Sequence, residues 1–254
     1  MKLQHKVAVI TGAASGIGAA TAQLFAAEGA SVVVADKDLV AAQTLVQSLV
    51  MTVGASALAV QVDVADSISV QQMLQRTQDH FGRVDVLVNN AGFGLASTVE
   101  NTSEDDWTRL MRVNVDGVFY GCKYVIPMMR QQGGGVIVNT ASVAGLVGLR
   151  ERAAYCASKG AVIALTRAMA LDHAAENIRV NCVAPGTVQS PYFTDMLAKA
   201  EDPQALLQQL SARQPVMRLG QPEEIAKAIL FLASADSSFS VGSVLVTDGG
   251  LSAA

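Results

Sequence analysis

The chain has 254 residues and a formal charge of −4, long enough at roughly 150 residues per domain for one large α/β domain. It is 51% hydrophobic and only 16% charged, against a typical charged fraction of about 25%, which excludes disorder and a polyelectrolyte role. With a pI near 5.3 and no Lys/Arg cluster it carries no electrostatic footprint for nucleic acid or anionic lipid.

From the N-terminus, Lys2 to Lys6 runs into Val7-Ala8-Val9-Ile10, an apolar stretch too short for a signal peptide, so export is not expected and a cytoplasmic location is. Residues 7–11 read as a first strand, followed by Thr11-Gly12-Ala13-Ala14-Ser15-Gly16-Ile17-Gly18 and a helix over 16–28. Glycines let the backbone approach a pyrophosphate, and the helix start offers free N–H groups and a positive dipole end. The spacing is GxxxGxG, not GxGxxG. A second strand over 31–35 ends at Asp36, which lies 18 residues after Gly18. That is near the separation of about 20 expected of an acid that hydrogen-bonds an adenosine ribose. A carboxylate there repels a 2′-phosphate and favours NAD over NADP, a preference that the adjacent Lys37 tempers.

Residues 39–62 are 24 uncharged positions, superficially a membrane span. Polar residues at 43, 44, 47 and 48 recur at helical spacing and Gly54 marks a break, which predicts a surface helix and then a strand over 57–62. Further strands are predicted over 84–89, 136–140, 178–183 and 243–247, with helices over 67–80, 104–114 and 153–175 between them. These strands are near-continuous apolar runs, the pattern of a sheet buried on both faces. Their alternation with helices predicts a doubly wound (Rossmann-type), mostly parallel sheet of about seven strands with helices on both faces. No linker or repeat divides the chain, which predicts one domain over 1–254.

Tyr155 and Lys159 stand at i and i+4, on one face of the helix over 153–175, and Ser142 follows the fifth strand. A free tyrosine titrates near 10 and needs a neighbouring cation to act as a base at neutral pH. Lys159 is such a cation, and the Ser142 hydroxyl is placed to donate to a substrate oxygen. Isolated YxxxK sequences are more often ordinary half-buried helix. Arg150, Glu151 and Arg152 lie between Ser142 and Tyr155; a solvated turn is the plainer reading, a pocket rim the alternative. The stretch 185–222 reads as irregular, with Tyr192, Phe193, Met196 and Leu197 marking a substrate lid over about 188–215 and Pro191 and Pro203 bracketing a short helix. The segment 218–224 reads as a turn and then Pro222 at a helix start. His5, His80 and His173 lack ligand spacing, Cys122, Cys156 and Cys182 contain no CxxC, and no metal site is expected. Trp107 is expected to pack on its own helix.

Taken together, Thr11 to Gly18, Asn89-Asn90-Ala91-Gly92, Asn114, Ser142, Tyr155-Cys156-Ala157-Ser158-Lys159, Pro185-Gly186 and Asp248-Gly249-Gly250 resemble, in order and over nearly the whole chain, a compact short-chain dehydrogenase/reductase. The resemblance implies that Gly12, Ser15, Gly16, Ile17 and Gly18 cradle the pyrophosphate, Asp36 holds the ribose and Asp63 and Val64 flank the adenine. It further implies that Asn90, Ala91 and Gly92 line the cofactor cleft and that Pro185, Gly186, Thr187 and Val188 cover the nicotinamide. For catalysis it implies Tyr155 as acid/base, Lys159 as its pKa-lowering partner and ribose ligand, Ser142 as substrate-orienting and Asn114 as holder of a relay water. The implied reaction interconverts a secondary alcohol and a ketone with NAD(H). Alternatives are an NADP(H)-dependent ketoacyl-type reductase and a nucleotide-sensing protein on the same fold. An epimerase or dehydratase is expected to be longer. The partner is a small alcohol or carbonyl compound, not nucleic acid or membrane. The low charged fraction and the apolar outer positions expected on helices 104–130 and 153–175 point to a homo-oligomer, by resemblance a tetramer.

Overall fold

The protein is described by a computed structural model covering residues 1–198 and 200–253, without the side chains of Pro191, Tyr192 and Asp195. Seven strands, β1 (Val7–Thr11), β2 (Ser31–Asp36), β3 (Ala57–Gln61), β4 (Val86–Asn89), β5 (Gly135–Thr140), β6 (Ile178–Pro185) and β7 (Val244–Thr247), form one sheet in the order β3-β2-β1-β4-β5-β6-β7. Every pairing is parallel. The helices are α1 (Gly16–Ala27), α2 (Leu39–Val53), α3 (Ser67–Phe81), α4 (Glu104–Met111), α5 (Gly117–Gln131), α6 (Ala153–His173), α7 (Pro191–Ala198), α8 (Pro203–Ser211) and α9 (Pro222–Ala233).

Alternation of side chains along the buried strands divides the core in two. Val9, Leu87 and Ile137 point to one face and pack with Val70 and Met73 of α3, Val118 and Val125 of α5 and Val162 of α6. Ala8, Ile10, Val86, Val88 and Val138 point to the other, against Phe25 of α1, Leu45 and Leu49 of α2 and Ile225 and Ile229 of α9. The uncharged stretch 39–62 is thus an amphipathic helix that turns Ala42, Leu45 and Leu49 inward and stops at Gly54 in the left-handed conformation, followed by β3. Among the described residues no helix is long and apolar enough to cross a membrane. Side-chain caps from Asp38, Asp66 and Ser103 start α2, α3 and α4, and Gln221 and Glu224 form a capping box on α9.

Three expectations need correction. The helix expected over 104–114 stops at Met111, and a π turn over Arg112–Asp116 carries the chain into α5. The stretch 185–222 contains two helices; Pro203 opens α8 behind its Asp202 cap and does not close the helix that begins at Pro191. The side chain of Tyr192, expected on a lid, lies outside the described residues. Trp107 is 44% exposed, because short α4 buries only Leu110.

Close approach of α6 to the turn after β5 depends on Gly145, where a Cβ would lie 2.7 Å from the backbone carbonyl carbon and oxygen of Lys159. Gly145→Ala is therefore expected to push α6 outward and lower stability by roughly 1–3 kcal/mol in urea unfolding, the usual range for overpacking.

Candidate active site

In a parallel sheet all strands end at the same edge, and this one changes direction between β1 and β4, where two crossovers leave a crevice. Gly12 to Gly18 follow β1, Asp36 ends β2, Asp63 follows β3, Asn90 follows β4, Ser142 follows β5, and Pro185 to Val188 end and follow β6. Chain order thus delivers each of these residues to one edge.

The glycine loop is held by contacts that larger residues would destroy. Gly12 has φ +62°, and a Cβ there would lie 2.8 Å from Ala91 Cα. A Cβ on Gly18 would lie within van der Waals contact of both the Gly12 carbonyl oxygen and the Asn90 amide. Asn90 fastens the loop by donating from Nδ2 to the carbonyls of Thr11 (3.0 Å) and Gly12 (3.1 Å). The Thr11 hydroxyl accepts the backbone N–H groups of Asn90 (3.0 Å) and Ala91 (3.1 Å). Ser15 precedes α1 without a side-chain cap bond, so the dipole end of this helix keeps its donors, and Ile17 packs beside the α1 core. A cavity of about 480 Å³ adjoins it, lined by Gly16, Gln189, Ser190, Thr194, Gln221, Pro222 and Glu223. Of these only Gly16 is expected from sequence to bind the cofactor; Ser190 and Thr194 come to the cavity from the start of α7. The glycine cradle, the uncapped helix start and the adjoining cavity fit a dinucleotide pyrophosphate.

Asp36 is oriented by two backbone donors, Ala14 N–H to Oδ2 at 2.9 Å and Asp38 N–H to Oδ1 at 3.0 Å. Its carboxylate thereby sits against the glycine loop. Asp63 is exposed and turns back to accept the Ala65 N–H at 2.9 Å, while Val64 is buried in the region of Gly117.

Across the crevice, Lys159 is 4% exposed and donates from Nζ to the Thr140 carbonyl at 2.8 Å. Nζ stands 5.8 Å from the centre of the Tyr155 ring. Burial holds the Lys159 ammonium down to about 8. The Thr140 hydroxyl, at this same strand end, is buried without a hydrogen-bond partner among the described residues. Ser142 is buried, its Oγ accepting the Ala144 N–H at 3.2 Å and lying 3.5 Å from the Pro185 carbonyl. Asn114, in the π turn, is fully buried: Oδ1 accepts the Phe93 N–H at 3.0 Å, and Nδ2 donates to the Phe93 carbonyl at 3.0 Å and Ser158 Oγ at 3.2 Å. It joins the loop after β4 to α6, and a Cβ on Gly92 would lie 3.0 Å from Asn114 Oδ1 and 3.4 Å from Lys159 Nζ. Tyr155, Asn114 and Gly92 thus gather around Lys159, and Ser142 follows the same strand end, two residues beyond the Thr140 carbonyl that Lys159 binds. Arg150 and Glu151 are exposed, and Glu151 has φ +55°. The turn is pinned by the Ser97 N–H, which donates to the Glu151 carbonyl at 2.8 Å, and by a bridge from Ser97 to Arg152. Among the described residues no group of three or more His, Cys, Asp or Glu is arranged to hold a metal ion.

Residues 12–252 match the family model described as enoyl-(acyl carrier protein) reductase. The chain is 43% identical to meso-2,3-butanediol dehydrogenase of Serratia marcescens over all of this chain and 97% of that protein. It is 41% identical to cyclohexanol dehydrogenase of an Acinetobacter species, covering 98% of this chain and 95% of that one. Among solved structures, L-sorbose reductase of Gluconobacter frateurii, complexed with NADPH and L-sorbose, superposes over the full length of both chains with a TM-score of 0.95 at 32% identity.

One consequence of the geometry is a stability cost at Lys159. With a folded-state pKa near 8 against 10.5 unfolded, the unfolded chain binds more protons between those values, so stability rises with pH across that window. Relative to Lys159→Met, the wild type is expected to lose roughly 3 kcal/mol as pH falls from 10.5 to 8 and nothing further below, measured by denaturant unfolding at each pH.

Proposed function

Because the chain belongs to the short-chain dehydrogenase/reductase family, an oxidoreductase family acting on CH–OH groups with NAD(P), we propose that it interconverts a secondary alcohol and a ketone with NAD(H), using Tyr155 as general acid/base. The observation that carries this reading is the buried Lys159 ammonium beside Tyr155 at the crevice edge. A bound nicotinamide supplies the hydride acceptor or donor. Tyr155 takes the hydroxyl proton in oxidation and returns it in reduction, and the charge of Lys159 favours its phenolate. Ser142 Oγ donates to the substrate oxygen once it exchanges its long contact with the Pro185 carbonyl for that partner. Asn114 holds the loop at Phe93 and is the residue at which a relay water is held.

For the cofactor, Gly12, Ser15, Gly16, Ile17 and Gly18 take the pyrophosphate, Asn90, Ala91 and Gly92 line its cleft, Asp63 and Val64 flank the adenine, and Pro185, Gly186, Thr187 and Val188 cover the nicotinamide. The preference for NAD rests on the Asp36 carboxylate, which two backbone N–H groups hold toward the glycine loop. Use of NADP(H) is the second reading, favoured by Lys37 and by the NADPH in the L-sorbose reductase structure. The substrate is a small alcohol or carbonyl compound, such as the names of the butanediol and cyclohexanol dehydrogenases describe. We take the whole chain as one domain in which the segment 188–215 closes over substrate, α7 and α8 moving as a pair and excluding water from hydride transfer. A homotetramer is supported by Trp107, Phe119 and Leu171 on α4, α5 and α6, which remain 44%, 46% and 83% exposed.

The Tyr155→Phe variant is expected to bind NADH like the wild type while kcat falls at least about a hundredfold, the usual contribution of general acid–base catalysis. Steady-state turnover with a panel of secondary alcohols tests this, and near wild-type turnover rejects the assignment. Asp36→Ala is expected to lower kcat/KM with NAD by about tenfold and leave that with NADP equal or higher, the loss of one charge-assisted hydrogen bond and one repulsion. A wild type that prefers NADP would move the cofactor determinant to Lys37.

A further inference from the structure

The turn leaving α8 buries a polar side chain that the mechanism does not use. Gln214 is 2% exposed, although its neighbours in the turn, Arg213 and Pro215, differ widely in chemistry and a methionine or leucine would fill the same space. Its amide is engaged at both ends: Oε1 accepts the Thr187 N–H at 3.1 Å and Nε2 donates to the Arg218 carbonyl at 2.8 Å. A buried amide costs stability unless both ends are satisfied, and here it bridges the segment after β6 to the turn before α9.

What it bridges to is the segment after β6. The Thr187 carbonyl accepts the Gly220 N–H at 2.9 Å and the Gly220 carbonyl accepts the Gln189 N–H at 2.8 Å, a parallel bridge centred on Val188. Both backbone groups of Thr187 are thereby spent inside the protein. By strand alternation the N–H and C=O of Val188 turn to the opposite edge. On the other side, Arg218 is clamped to Glu224 at the start of α9 by contacts of 2.7 and 2.8 Å. The C-terminal segment closes behind, where a Cβ on Gly249 would lie 2.6 Å from Val216 and 3.2 Å from Gln214 Cβ.

We infer that Gln214 is a positioning residue for the redox end of the cofactor: it fixes the Thr187 peptide, and through it the Val188 donor and acceptor, against the base of the α7–α8 segment. This rests on the proposal that residues 185–188 cover the nicotinamide. It also links that cover to the lid, since the residue that holds the nicotinamide loop is the first turn beyond α8. Gln214 touches neither substrate nor cofactor; it acts through Thr187.

The test compares two ligands that differ only at the end in question. Dissociation constants are measured for NADH, by fluorescence, and for ADP-ribose, which lacks nicotinamide, by calorimetry, on the wild type, Gln214→Met and Gln214→Glu, with the melting temperature of each recorded. Gln214→Met is expected to weaken NADH about tenfold and leave ADP-ribose within about twofold, the effect of one lost hydrogen bond at a single end of the ligand. Gln214→Glu retains an acceptor for Thr187 and is expected to lie between; it carries the same comparison if the methionine variant does not fold. In the wild type the Thr187 amide is expected to be protected from hydrogen exchange without ligand. Equal losses for both ligands, or a Thr187 amide that exchanges as freely as an open loop, overturn the positioning role alone. A wild type that binds neither ligand removes the dinucleotide proposal and this inference with it.

Discussion

Everything about this molecule depends on the strands being parallel. A parallel pair cannot be closed by a hairpin, so each strand is followed by a crossover, and each crossover returns the chain to the same end of the sheet. All seven strands therefore end at one edge, and the reversal of strand order beside β1 opens that edge into a crevice. The glycine loop, Asp36, Asn90, Ser142 and the segment after β6 are distant in sequence and adjacent in space for this one reason.

Within that frame the precision of the site comes from buried polar contacts. On the α5/α6 face, Asn89 Nδ2 donates to Asn139 Oδ1 at 2.9 Å, and Asn139 Nδ2 donates to Thr166 Oγ1 at 2.9 Å. That chain ties β4, β5 and α6 together beneath Lys159, and Gly121 leaves room for it, since a Cβ there would lie within contact of Asn89 Oδ1. Asn114 adds the loop after β4, and Lys159 itself reaches back to the end of β5. A hydrophobic core would hold α6 against the sheet; directional bonds also set its rotation and depth, which place Tyr155. Cys122 and Cys182 lie in this dry layer, and burial pushes their thiols up to about 12 and about 11, so they behave as small apolar residues.

Burial also carries a stability cost at one residue. Lys159 loses water at the base of the crevice, and the folded protein carries that cost whenever its ammonium is protonated; under the proposed mechanism this is the charge that favours the Tyr155 phenolate. The surrounding core offsets it: two apolar layers, one on each face of the sheet, with strands β1 and β4 buried along their whole length.

The apolar runs, the glycines and the 3.6-residue spacing by themselves determined the seven strands, most of the helices and the pairing of Tyr155 with Lys159, because these are local patterns that hydrophobic burial reads directly. The start of α9 at Pro222 was equally legible. Tertiary structure alone decided the rest. The split of 185–222 into α7 and α8 hung on Pro203, which can close one helix or open another, and only the Asp202 cap and the burial of Leu210 select the second. The π turn at Asn114 has no sequence period of its own; it arises where the side chain must meet both Phe93 and Ser158. Gln214 gave no signal because a lone polar residue becomes informative only when burial shows what it must bond to, and burial is set by elements folded from the far ends of the chain.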